Sequence, residues 1–435
     1  MATSPPERTR RSGYAPTTNV GVGRRGLHTR ERIIACAAET FLVSGFHGTS
    51  LDAIAKAANA SRATVYQYFA GKEEIFGELS AMAEHDALDH ADRIGDLGPT
   101  PAGADALHRW LIEWADIYDR HAAVFAEFPG IGTAAGLSIV DISPAAAQFH
   151  HMITDRLRAT SLRGLDPDDA AAALGRIPHM VHLYRHRTMI PLPTRDVVSA
   201  SLTIAMQLML FPDTPADVLR SIATQSGRQA ATTSVAVALE APAAGATAQS
   251  ALSPIMLEVL SVSSTLFAEH GYYAVGMEDI AAGAQVSRAT LYRYFSTKDK
   301  ILAELTRLAV TEIEEFAATL SGITDAEALS KWMLDYLRFH RGYRGVIRAW
   351  LDGTVAEQLS AAEVEHGIGA IHHTVGVLLA NAGLPTGMNQ QVAAAVFLAI
   401  LGRMTEPTAA DSPDDDQRTA ALMVTLLRRS LLRWP

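Results

Sequence analysis

Apolar residues near the start of the chain recur three and four positions apart. Ile34, Ala37, Ala38, Phe41 and Leu42 share one face of a predicted helix that Thr29 can cap and Gly45 ends. Leu51, Ile54, Ala55 and Ala58 mark one face of a second, short helix, with Thr49 or Ser50 as its natural cap. Asn59 and Ala60 then make a tight turn, where Asn tolerates the left-handed backbone that a sharp reversal needs. Ser61 caps a third helix, SRATVYQYF, in which Val65 and Phe69 face inward while Arg62, Thr64, Tyr66 and Gln67 spread over the outer face. Lys72 opens a fourth, where its charge adds to the positive helix end and favours a phosphate. Two short helices joined by a three- or four-residue turn form the shape that lays its second member in the major groove of DNA.

The same pattern returns later in the chain. The segment from Phe41 aligns without a gap on that from Phe267, an offset of 226, and 16 of the 39 positions through Leu79 and Leu305 are identical. SRATVYQYF faces SRATLYRYF. A weaker echo at an offset of 222 sets Leu107, Trp110, Trp114, Val124 and Phe128 against Leu329, Trp332, Tyr336, Val346 and Trp350, so the duplication spans whole domains. The expected organisation is a disordered basic arm over 1–26, a reading domain over 27–87 and a helical regulatory domain over 88–222. An Ala-, Thr-, Ser- and Gly-rich linker over 223–252 leads to a second reading domain over 253–310 and a second regulatory domain over 311–435.

Composition supports an all-α chain: 48% of its 435 residues are hydrophobic and only 7% aromatic. No uncharged apolar run is long enough for a membrane span and no signal peptide is visible, so a cytoplasmic protein is expected. Cys36, the single cysteine, reads as a buried reduced thiol. The net charge of −10 argues against indiscriminate nucleic-acid binding, but its distribution is uneven. Residues 1–80 hold ten Lys or Arg against seven acids, whereas 251–305 hold four against six, which makes the first unit the more basic.

The strings IAKAANASRATVYQYFAGKEEIF and IAAGAQVSRATLYRYFSTKDKIL each resemble the signature of the TetR family of transcriptional regulators. That resemblance implies a DNA-binding unit in each half: Thr49, Ser50, Ser61, Arg62, Ala63, Thr64, Tyr66, Gln67, Tyr68 and Lys72 in the first, and Ser287, Arg288, Ala289, Thr290, Tyr292, Arg293, Tyr294 and Lys298 in the second. Arg62, Ala63 and Tyr66 take the base-approaching positions, while Ser50, Thr64, Gln67, Tyr68 and Lys72 take the phosphate side. The second unit departs further from the pattern: Val275 and Gly276 replace the usual cap, Glu278 and Asp279 bring acid toward the DNA backbone, and the family's turn glycine, Asn59 in the first copy, is here the less comfortable Gln285.

The resemblance further implies a sensor and a dimer surface behind each reading unit. Trp110, Trp114, Tyr118, Phe125 and Phe128, with Trp332, Tyr336, Phe339, Tyr343 and Trp350, could surround a small apolar effector, although ordinary core packing explains the same stripe. His179, His182 and His186 share a helix face that, beside Arg185 and Arg187, reads as a polar interface face rather than a metal site. In the family two long helices per sensor pair with a partner. The candidates are Pro167–Arg187 with Arg195–Phe211 and Asn389–Met404 with Asp415–Leu432, giving an intramolecular pseudo-dimer or a homodimer. No enzyme motif is present, and no cofactor or metal is expected. The expected function is a DNA-binding regulator, a repressor released by its effector; the alternative is one in which only the first unit reads DNA and the second half is a built-in partner. The expected partner is a double-stranded operator, with no membrane.

Overall fold

A computed structural model of the chain describes residues 24–127, 144–227, 252–351, 361–405 and 415–432. Most of the basic arm, most of the linker and Phe128 lie outside the described residues. Every regular element among those described is helical, and the helices fall into two series with the same order. The first comprises α1 (Arg24–Gly48), α2 (Leu51–Ala57), α3 (Arg62–Tyr68), α4 (Lys72–Asp92), α5 (Pro101–Arg120), α6 (Ala122–Phe125), α7 (Pro144–Arg158), α8 (Pro167–His186), α9 (Arg195–Leu210) and α10 (Ala216–Gly227). The second comprises α11 (Pro254–His270), α12 (Met277–Gly283), α13 (Arg288–Tyr294), α14 (Lys298–Leu320), α15 (Ala326–Gly342), α16 (Arg344–Leu351), α17 (Ala361–Ala382), α18 (Gln390–Arg403) and α19 (Asp416–Ser430). Helix α10 packs on α5 and α9. No described helix is long and apolar enough to cross a membrane.

Most local signals act as expected. Ser61 and Ser287 cap α3 and α13 by accepting from the N–H of Thr64 and Thr290 at 3.0 and 3.1 Å. Asn59 and Gln285 both adopt left-handed backbone, with φ of 46° and 53°. Gly45 and Gly271 leave the helical path at equivalent places, at φ of 67° and 80°. Thr29 is not a cap: it lies inside α1, which begins at Arg24 and runs through Gly26.

The two halves meet through their last helices. Helix α8 packs against α18, and α9 packs against both α18 and α19. Helix α18 is buried from Val392 to Leu401 on all its faces, the condition of a helix enclosed by neighbours. Polar contacts fix the register. Asp169 meets Arg418 at 3.3 Å, Arg429 donates to the carbonyls of Leu162 and Met209 at 3.1 and 3.2 Å, and the Ser201 hydroxyl accepts from the Asn389 N–H at 3.1 Å. The four helices named in the sequence as pairing surfaces therefore pair within one chain.

Candidate nucleic-acid interface and sensor

Each reading head is a three-helix unit built on a small apolar centre. In the first, Ile33, Ala37, Phe41, Ile54, Val65, Phe69, Ile75 and Phe76 are buried, and Phe41, Phe46 and Phe76 meet edge-on or tilted with centroids 5.1–5.6 Å apart. This core orients α3 so that Arg62, Ala63, Tyr66 and Gln67 point to solvent, Tyr66 being 47% exposed. Helix α13 presents Arg288, Ala289, Tyr292 and Arg293 in the same way, with Tyr292 52% exposed. Thr64 and Thr290 are half-buried beside the caps, their hydroxyls 2.8 and 2.9 Å from Ser61 and Ser287.

Other predicted contact residues turn inward. Thr49 is buried and its hydroxyl donates to the Gly45 carbonyl at 2.7 Å, so it closes the end of α1, while Ser50 alone caps α2 through the Ala53 N–H at 3.1 Å. Tyr68 is buried in the head core and Tyr294 is half-buried. Lys72 does not face outward from the start of α4: its ammonium donates to the carbonyls of Phe46 and Thr49 at 2.6 and 2.9 Å. Lys298 repeats this with Tyr272 and Val275 at 2.6 and 2.8 Å. The cause is electrostatic. Carbonyls left over around the end of α1, and in the turn after α11, attract the cation, whereas its own helix N-terminus repels it. Burial lowers the pKa of both ammonium groups below the usual lysine value.

The acids of the second head make local contacts of their own. Asp279 accepts from the Gly276 N–H at 2.8 Å, which closes the α12 terminus that lacks a hydroxyl cap. Glu278 pairs with Arg288 at 2.6 Å, as Asp52 pairs with Arg62 at 2.9 Å in the first head. These acid–arginine pairs join positions ten residues apart across the turn, a link that helical periodicity does not reveal. The heads also touch one another. His47 and Tyr273, which hold the same position in the repeat, stack with centroids 4.1 Å apart.

The regulatory segments hold the predicted aromatic residues in their interiors. Trp110, Trp114 and Tyr118 line one side of α5 and are buried, as are Trp332, Tyr336 and Trp350 in the second half. The three histidines of α8 do not form an interface face. His179 and His182 are buried, with ring centroids 5.4 Å from Tyr118, and His186 bonds Asp119 at 2.8 Å, because α8 turns this side toward α5 and gives α18 its opposite side. Burial drives the His182 imidazole down to about 3. Trp110 and Trp332 donate alike, to the His90 and Phe316 carbonyls at 3.0 and 3.2 Å, and Trp350 donates to the Thr306 hydroxyl at 3.1 Å. In the first half the Trp114 indole N–H, the Tyr118 hydroxyl and both ring nitrogens of His182 are buried without a hydrogen-bond partner. A cleft of about 510 Å³ in the first half is lined by Ile94 to Pro99, Asp155 to Leu157, Ala159 to Ser161 and Phe211, and includes none of the predicted aromatic residues.

Two capped, outward-facing recognition helices on one chain define the helix-turn-helix class of DNA-reading architectures. The model of the bacterial regulatory proteins of the tetR family matches residues 33–79 and again 259–305. The chain carries two TetR-type DNA-binding heads, the two copies of a tandem duplication. Curated relatives include the regulator YhgD of Bacillus subtilis (strain 168), 24% identical over 33% of this chain and 76% of its own length. Another is the biofilm operon negative regulator IcaR of Staphylococcus aureus (strain Newman), 30% identical over 22% of this chain and 52% of its own length. The chain thus spans about three quarters of the first and half of the second. Among solved structures, the TetR-family regulator PfmR of Thermus thermophilus is 23% identical over 39% of this chain and 94% of its own, with a TM-score of 0.32.

Proposed function

We propose that this chain is a sequence-specific transcriptional repressor working as a single-chain pseudo-dimer. The observation that carries the reading is the bundle of α8, α9, α18 and α19, which joins two similarly built heads within one polypeptide. In that arrangement α3 and α13 enter successive major grooves, roughly 34 Å apart along the duplex, and Arg62, Tyr66, Gln67, Arg288, Tyr292 and Arg293 reach base edges or phosphates. Both heads keep the serine cap and the exposed arginine, which favours two reading heads over one.

The effector is assigned to the first half. Aromatic walls from Trp114, Tyr118 and Phe125 surround polar atoms that have no partner, so the ligand combines an apolar body with hydrogen-bonding groups. Occupancy of that region shifts the heads away from the half-site spacing and releases the operator. Footprinting of the upstream region with protein whose mass is measured by light scattering tests the reading. One chain protecting two half-sites one helical turn apart is expected. Absence of protection at moderate salt refutes DNA reading, and a complex of two chains per pair of half-sites refutes the pseudo-dimer.

A further inference from the structure

Resting on the DNA-binding reading above, we propose that Asp52 and Glu278 are specificity-determining positioning residues: each holds the recognition-helix arginine for base contact and opposes its use on phosphate.

Three observations carry this. First, the pairing occurs in both heads although the acid differs, Asp52 with Arg62 at 2.9 Å and Glu278 with Arg288 at 2.6 Å. Second, these pairs lie in solvent. The side chains of Arg62 and Asp52 are 59% and 62% exposed and those of Arg288 and Glu278 are both 66% exposed, so the pairs add little to folding. Third, the Arg62 guanidinium is fixed on two sides: one nitrogen donates to Asp52, while a second donates to the Tyr66 hydroxyl at 3.3 Å and the central carbon lies 5.5 Å from the Tyr66 ring centroid.

A guanidinium carries five N–H donors in a planar fork. With one donor on the carboxylate, enough remain for a bidentate contact to the O6 and N7 atoms of guanine, the commonest specific arginine contact in the major groove. Holding the fork beforehand reduces the rotamer freedom lost on binding. On any other sequence the profitable partner is a phosphate. The carboxylate then acts twice against the complex, by retaining the arginine and by repelling the backbone. Discrimination arises because the acid costs non-specific binding more than specific binding.

The test uses the full chain with Asp52→Asn, Glu278→Gln and the double substitution, folding being checked by circular dichroism. The probes are a duplex selected by the unsubstituted protein from a random-sequence pool and a scrambled duplex of equal length. Each single substitution is expected to lower the ratio of specific to non-specific affinity about three- to tenfold. It should also steepen the salt dependence on the scrambled duplex by about one unit of log K against log salt, as one more arginine neutralises a phosphate. Asp52→Glu should retain the ratio. An unchanged ratio, or a lowered ratio with an unchanged slope, overturns the proposal, the latter because loss of α2 rigidity alone would produce it. Failure of the unsubstituted protein to select any sequence overturns the DNA-binding reading itself.

Discussion

Gly345 offers a sharp test of how tightly the second head is seated on its regulatory segment. It lies at the start of α16, where that helix crosses α11 with no side chain between their backbones. A Cβ added there would stand 2.2 Å from the Ser264 carbonyl oxygen, 2.9 Å from the Ala268 nitrogen and 3.0 Å from the Phe267 Cβ. Ordinary contact requires about 3.4 Å or more, so in a Gly345→Ala chain the two helices must separate by about 1 Å. The Ser264 hydroxyl to Gly342 carbonyl and Arg348 to Ala268 carbonyl hydrogen bonds, both 2.7 Å, would stretch with them beyond hydrogen-bond range. Overpacking costs roughly 1–3 kcal/mol and each of the two weakened hydrogen bonds about 1 kcal/mol, giving a loss of roughly 3–5 kcal/mol. Urea unfolding followed by tryptophan fluorescence measures the loss, and hydrogen exchange localises it to α11 and α16. A change below about 0.5 kcal/mol, or exchange that accelerates elsewhere and not in α11, would refute the close-packing argument. The corresponding first-half residue, Ala123, already carries a Cβ and is buried, so the two crossings are built differently.

Replacing Lys72 by Met should destabilise the first head by about 1–3 kcal/mol, since the Phe46 and Thr49 carbonyls lose a charged donor, and Lys298→Met should do the same in the second; unchanged melting of either variant would contradict the assignment. Substituting His182 by Leu removes two unpartnered ring nitrogens, so thermal stability should rise by about 1–2 kcal/mol while effector release is lost; a destabilised protein would show that the imidazole is satisfied. His90, His182 and His340, driven by burial to about 4, about 3 and about 3, make stability depend on pH. Their folded pKa values lie below the unfolded value near 6.5, so their contribution is complete above that pH. It is lost as the pH falls toward 4, by up to about 1.4 kcal/mol per unit per histidine, and urea midpoints flat from pH 7 to 5 would oppose this. Arg418→Met leaves the buried Asp169 carboxylate without its cross-half partner and should loosen the bundle by about 1–2 kcal/mol at pH 7; because burial raises the Asp169 pKa, the loss should shrink as the pH falls and the carboxylate protonates, and equal stability at pH 7 would mean the pair adds nothing.

The reading heads are legible in the chain because their signals are local. Capping serines, a left-handed turn residue and apolar positions three and four apart act within a few residues, and they place α2, α3, α12 and α13 together with their outer faces. What escapes depends on neighbours distant in sequence. Lys72 and Lys298 read as phosphate ligands because nothing in KEEIF or KDKIL discloses the carbonyls some 25 residues earlier that take their charge. The histidine face of α8 misleads for another reason. Alanine, isoleucine and methionine cover the rest of that helix, so periodicity offers two buried sides and no means of telling α5 from α18. Pairing within the chain is likewise one of two arrangements allowed by the same helices, and only their packing separates them.

The stacked pair of His47 and Tyr273 lies where the two reading heads come together. In a dimer of identical chains, residues meeting at that place would have to be the same, and both heads would be bound to one recognition surface. Here the partners differ, an imidazole facing a phenol ring, and so do the outer residues Gln67 and Arg293. On the proposed reading, fusion releases the operator from palindromy: each half can change its preferred bases independently, while no dilution can separate the halves.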